Sequence, residues 1–259
     1  MSAALHARRV LLVHAHPDDE TLVTGALIAE LVQDGVEVGL VTATRGERGE
    51  VVAGHPLKHL EGTPELSATR EQELARANDA LGVRWHAYLG SGSAKPGSIE
   101  RRYVDSGMRW VRPGLAGPAE DVGTDALTSA SVDAVAADLI AAINSFQPDV
   151  VITYDEAGGY GHPDHVRCFE ATALACTATE TPWYVVVSDG ANVVATDIVV
   201  DASAHLAVVQ RALDAHRTQL TVEGTDVVHS GGQREPIVTE TVLRRYPMQV
   251  SAGEQPSRP

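Results

Sequence analysis

Two short runs hold most of the residue types that do hydrolytic chemistry: His14-Ala15-His16-Pro17-Asp18-Asp19-Glu20 and Gly158-Gly159-Tyr160-Gly161-His162-Pro163-Asp164-His165. His16 and Asp19 stand three apart, as do His162 and His165, and residues at that spacing point the same way on a helical turn. Imidazole nitrogen and carboxylate oxygen are ordinary zinc ligands, and a site of two histidines and one acid leaves a coordination position open for water. A metal brings the pKa of such a water down to about 7, after which a nearby carboxylate can take its proton during attack on a carbonyl. Asp18, beside Asp19, is placed for that task. Either run alone also makes good helix-capping sequence, with Pro at the first helical position. Two such runs, each directly after a buried strand, favour a metal.

The elements that must position them are legible in outline. Arg9 to Val13 is a β-branched run suited to a strand buried on both faces, and Val36 to Val41 is another. Between them Leu22, Gly25, Ala26, Ala29 and Val32 recur at helical spacing over Thr21 to Asp34, with Gly35 as the stop. Thr63-Pro64 opens a second helix that runs to Leu81, before an extended pattern from Val83 to Leu89. Ser131 caps a helix through Phe146, Pro148 stops it, and Asp149 to Tyr154 is a strongly apolar strand. A loop over Asp155 to Asp164 leads to a helix from about His165 to Thr179. Weaker strands follow at Trp183 to Val187 and Ile198 to Val200, then a helix from Ser203 to about Leu220 and a late strand from Pro236 to Arg245.

Apolar strands alternating with helices predict an α/β fold: a Rossmann-like, mainly parallel sheet with helices on both faces, plus a long loop region and a small C-terminal extension. One domain is expected over residues 1–250, with a disordered tail at 251–259. The stretch from Gly90 to Ala130, rich in Gly, Pro, Ser and charge, is too long for an ordinary connection and reads as a functional or partly mobile loop. In open α/β sheets ligands bind beyond the carboxyl ends of strands, so the two histidine-bearing runs are expected to converge there.

Composition narrows the partners. With 259 residues, 44% of them hydrophobic, the chain can bury a substantial core. A formal net charge of -15 opposes nucleic-acid phosphates and anionic lipid, so neither nucleic acid nor membrane is an expected partner. No apolar run is long enough to span a bilayer and no signal peptide is recognisable, which points to the cytoplasm. Cys168 and Cys176 are too few for a disulfide framework and read as packing residues.

The runs Ala15 to Glu20 and His162 to His165 resemble the A-H-P-D-D-E and H-P-D-H marks of the LmbE-like, or PIG-L-like, zinc-dependent N-acetylglucosaminyl deacetylases. The resemblance extends through Thr44 to Glu50, Arg70-x-x-Glu73-Leu74, Leu81-Gly82, Tyr88-Leu89-Gly90, Asp105 to Met108 and Ala215 to Gln219. That set is most similar to the mycothiol-biosynthetic branch, which deacetylates N-acetylglucosaminyl-inositol. Ser91 to Arg102 departs from the family run, and the chain after Thr221 is divergent. The resemblance implies His16, Asp19 and His165 as ligands of one zinc per chain, with iron(II) as an alternative, and Asp18 as general base. It implies that His162, when protonated, stabilises the oxyanion or assists amine departure, that Asp164 supports a site histidine, and that Tyr160 helps polarise the carbonyl. Glu50, Arg70 and Asp105 would hold hydroxyls of a small N-acylated amino-sugar substrate. The chain carries no mark of an oligomeric state. Alternatives are a mycothiol S-conjugate amidase or a deacetylase of another N-acetylglucosaminyl molecule. Outside enzymes the rival is a sugar- or nucleotide-binding module, which lacks its expected G-x-G-x-x-G or P-loop after the first strand.

Overall fold

The computed structural model describes residues 5–247, and the tail expected at 251–259 lies outside them. The chain runs through β1 (Arg9–His14), α1 (Asp19–Gln33), β2 (Glu37–Thr42), α2 (Pro64–Leu81), β3 (Trp85–Tyr88), β4 (Met108–Arg112), β5 (Leu115–Pro118) and α3 (Val132–Phe146). It continues through β6 (Val150–Tyr154), α4 (Pro163–Thr179), β7 (Trp183–Val186), β8 (Ile198–Asp201), α5 (Leu206–Leu213), β9 (Leu220–Glu223), β10 (Asp226–His229), β11 (Arg234–Pro236) and β12 (Glu240–Arg245).

Seven strands form one sheet in the order β3-β2-β1-β6-β7-β12-β8. The pairs from β3 to β7 are parallel, and β12 runs antiparallel to both its neighbours. Successive strand residues face opposite ways, so β1 serves two cores. Leu11 and Val13 pack with Val135, Leu139 and Phe146 of α3 and Cys168 and Ala171 of α4. Val10 and Leu12 pack with Leu27, Ile28 and Leu31 of α1, Leu74 and Leu81 of α2 and Ala212 of α5. Both cysteines are free and buried, as packing residues should be. No helix among the described residues is long and apolar enough to cross a membrane.

Several boundaries differ from the sequence expectation. α4 begins at Pro163, two residues early, because the His162 ring caps it: its Nδ1 accepts the Asp164 N–H at 3.1 Å. The helix expected from Ser203 to Leu220 ends at Leu213, since the following turn is drawn inward by buried hydrogen bonds from His216, Thr218 and Gln219. The late strand starts at Glu240. Pro236 instead closes β11, in a small antiparallel sheet β11-β10-β9 that the expectation lacked. Within Gly90 to Ala130 the structure holds the hairpin β4–β5, and Tyr103 Oη donates to Asp138 Oδ2 of α3 at 2.6 Å.

Candidate active site

β1 lies where the sheet order reverses, with β2 on one side and β6 on the other, and such a switch point opens a crevice at the carboxyl ends of its strands. The two histidine-bearing runs leave β1 and β6 into this crevice. Ala15 to Asp18 make the turn into α1, and Asp19 stands in the helix's first turn. Its Oδ2 accepts from the His16 N–H at 2.9 Å and from Tyr154 Oη at 2.7 Å, and the Ala15 N–H donates to that same hydroxyl at 2.9 Å. Tyr154, the last residue of β6, thereby ties the two strand ends together and also stacks on His165, with ring centroids 4.0 Å apart and planes within 7°. Sequence reasoning missed this role, although Tyr154 ends the most apolar strand directly before the second run.

Asp19 Oδ2 lies 3.2 Å from His16 Nδ1 and 3.3 Å from His165 Nε2. The opposite nitrogen of His16, Nε2, meets Asp164 Oδ2 at 3.2 Å and Asp105 Oδ1 at 3.6 Å. Asp164 therefore supports His16 rather than the neighbouring His162, and the Ser106 N–H holds the same Asp164 oxygen at 2.9 Å. Burial opposes a charge on His16, but Asp105, Asp164 and Asp19 outweigh it and raise its pKa well above the ordinary value. Burial would raise Asp105 too, yet His16 and the Gly107 N–H hold it well below the carboxylate range. The pocket thus concentrates negative charge around buried imidazoles.

Asp18 adopts φ 120° and ψ -32°, a region sparsely populated by residues with a Cβ, at a cost on the order of 1–3 kcal/mol. Its carboxylate accepts no hydrogen bond among the described residues. Burial, then the charge of Asp19, raises its pKa to about 7. Burial, with the neighbouring His16 and His165, pushes the pKa of His162 down to about 3. With Nδ1 accepting from Asp164, the proton of the neutral ring sits on Nε2. Tyr160, 40% exposed, stands over His165 with ring centroids 5.2 Å apart, and its carbonyl accepts the Ala116 N–H from the β4–β5 hairpin at 2.8 Å.

The three residues expected to hold substrate part company. Asp105 lies in the His16 cluster, whereas the Glu50 side chain is exposed and without a hydrogen bond among the described residues. Arg70 is 1% exposed, and its guanidinium donates to the carbonyls of Gly46, Gly49 and Glu50 in the loop after β2.

Among the described residues two groups could hold a metal ion: His16, His162 and His165, and His16 with Asp105 and Asp164, each with ligand atoms within 4.8 Å of one another. His165 Nε2 is buried without a hydrogen-bond partner, and Asp164 Oδ1 likewise. An orphaned imidazole nitrogen beside clustered carboxylates is a nitrogen-and-oxygen donor set that suits a divalent cation of the zinc type.

Residues 11–176 match the family described as PIG-L: GlcNAc-PI de-N-acetylase, and the chain belongs to it. Similar relatives share one name. The 1D-myo-inositol 2-acetamido-2-deoxy-alpha-D-glucopyranoside deacetylase of Actinosynnema mirum is 36% identical over 270 residues, covering 89% of each chain. The Kineococcus radiotolerans protein of that name is 46% identical over 168 residues, but the match spans 65% of this chain and only 44% of the relative. Among solved structures, a deacetylase–teicoplanin complex superposes with a TM-score of 0.61 at 21% identity, over 92% of this chain and 98% of the other, a likeness of fold.

Proposed function

We propose that the chain is a zinc-dependent amide hydrolase that removes the acetyl group from N-acetylglucosaminyl-inositol, the step its relatives are named for in mycothiol biosynthesis. One observation carries the reading: the carboxylate of Asp19 lies within 3.3 Å of nitrogens of both His16 and His165, and an unpartnered Asp18 stands beside it. His16, Asp19 and His165 would hold one zinc per chain, and iron(II) accepts the same donors. When bound, the metal supplies a Lewis acid that acidifies water and polarises the amide carbonyl.

The chain's own groups do the rest. Asp18, with its pKa near 7, takes a proton from the attacking water and returns it to the departing amine. Neutral His162 directs its Nε2–H to the oxygen on which negative charge develops, and the Tyr160 hydroxyl is a second donor to that oxygen. Asp164 fixes the orientation and tautomer of His16, as partners of metal-binding histidines commonly do. Asp105 and the exposed Glu50 remain to receive sugar hydroxyls.

The test is acetate release by zinc-loaded protein from N-acetylglucosaminyl-inositol, with plain N-acetylglucosamine and a mycothiol conjugate in parallel. The first is expected to be turned over best, with loss on chelation and recovery on adding zinc. No release at full metal occupancy refutes the activity, and faster cleavage of the conjugate replaces the deacetylase by an amidase.

A further inference from the structure

A contact of the site comes from far along the chain, in the turn after α5. His216 is fully buried, with Nε2 2.8 Å from Glu20 Oε1. The other oxygen of Glu20 accepts the Asp18 N–H at 3.0 Å. Gln219 donates from Nε2 to the carbonyl of Pro17 at 2.6 Å. Pro17 C=O and Asp18 N–H are the two polar ends of a single peptide unit, so this unit is gripped on both sides. The gripping turn is itself anchored, because the Thr218 N–H and Oγ1 donate to Glu73 of α2 at 2.9 and 2.6 Å.

The plane of that peptide sets the φ of Asp18, and at 120° this φ persists only where surrounding contacts over-determine it. We propose that His216 and Gln219 are positioning residues for the general base: they lock the Pro17–Asp18 peptide and so keep the Asp18 carboxylate turned into the crevice. The inference rests on the hydrolase reading, in which Asp18 is the base. Neither residue is a metal ligand. Released from the grip, the peptide rotates towards negative φ and swings the carboxylate aside.

A double-mutant cycle separates this from a general structural role. In otherwise native, zinc-loaded protein, Gln219→Ala and the isosteric Gln219→Glu, which removes the donor, are expected to lower kcat roughly tenfold or more with KM within about twofold. Metal content by elemental analysis stays unchanged. In an Asp18→Asn background the same substitutions change the residual kcat by less than about twofold, because the group they act through is already gone. Equal losses in both backgrounds, or metal lost in step with rate, overturn the proposal. Amide hydrogen exchange reads the grip without turnover: exchange at the Asp18 N–H is expected to quicken in both Gln219 variants, and an unchanged rate overturns the proposal. Should the wild type release no acetate, the hydrolase reading falls, while the exchange result still decides whether the grip exists.

Discussion

Replacing Arg70 by Met tests whether this residue clamps a loop or binds substrate. The guanidinium is 1% exposed and donates to three loop carbonyls, of which Gly46 is buried while Gly49 and Glu50 lie nearer solvent. A hydrogen bond to a charged group contributes ~1.5–3 kcal/mol net, and a buried acceptor left alone costs ~1–3 kcal/mol. The outer two carbonyls can take up water, so their share is partly recovered. The same cation faces Asp18, Asp105, Glu73 and Glu47, whose mutual repulsion grows once it is removed. The expected loss is ~3–5 kcal/mol, the range for breaking a buried charged interaction. At ~2–4 °C per kcal/mol, the melting temperature falls by about 10 °C. Arg70→Lys recovers little of this, since a compact ammonium cannot fork to three carbonyls. Urea unfolding measures the first quantity and steady-state kinetics the alternative. A stability loss below ~1 kcal/mol together with a raised KM refutes the clamp and returns Arg70 to the substrate.

Further outcomes are expected. His16→Ala, Asp19→Ala and His165→Ala each lose the metal by elemental analysis, and full occupancy in all three with folding unchanged removes the site. Asp18→Asn keeps the metal but slows kcat at least ~100-fold, and near-normal turnover would show that another group takes the proton. His216→Gln weakens the pair with Glu20. Burial pushes His216 down but Glu20 raises it above 6.5, and burial pushes Glu20 up but His216 holds it below 4.5. A raised histidine stabilises fully below 6.5 and loses that contribution as pH climbs through its folded pKa; a lowered glutamate stabilises above 4.5 and loses it as pH drops through its own. The stability gap between wild type and variant is therefore widest between 4.5 and 6.5 and narrows as pH climbs through the folded pKa of His216, and a gap that does not narrow with rising pH contradicts the pairing. Gly39→Ala brings a Cβ to 2.9 Å from the Phe146 ring and is expected to destabilise by ~1–3 kcal/mol. Phe146→Leu should relieve part of that, whereas strictly additive losses would mean the two do not meet.

Most of the framework was legible because its signals are local. Thr63 and Ser131 cap their helices as expected, since a hydroxyl at that position satisfies the orphan N–H three residues on. The strands β1, β2 and β6 were readable as continuous apolar runs, because each is buried on both faces. Where the reading failed, a distant partner intervened. The helix from Ser203 stops early because buried acceptors on α1, α2 and the turn before α1 claim His216, Thr218 and Gln219. Asp164 was legible as a partner for some histidine, but His162, two residues before it, turned out to spend its Nδ1 on capping α4.

By itself the sequence determined the donor types, their three-residue spacing and their place after buried strands, because these follow from residue chemistry and the periodicity of the chain. Tertiary structure alone decided which groups share a proton, an oxygen or a charge. Asp164 turns to His16, and Arg70 forks to the loop carbonyls. Burial pushes the His162 pKa down to about 3 and the Asp18 pKa up to about 7. These outcomes depend on burial and on groups that the fold brings together, across 20 to 24 positions for Arg70 and its carbonyls and 148 for His16 and Asp164, and electrostatic energy follows distance in space and local dielectric, which the linear order of residues does not encode.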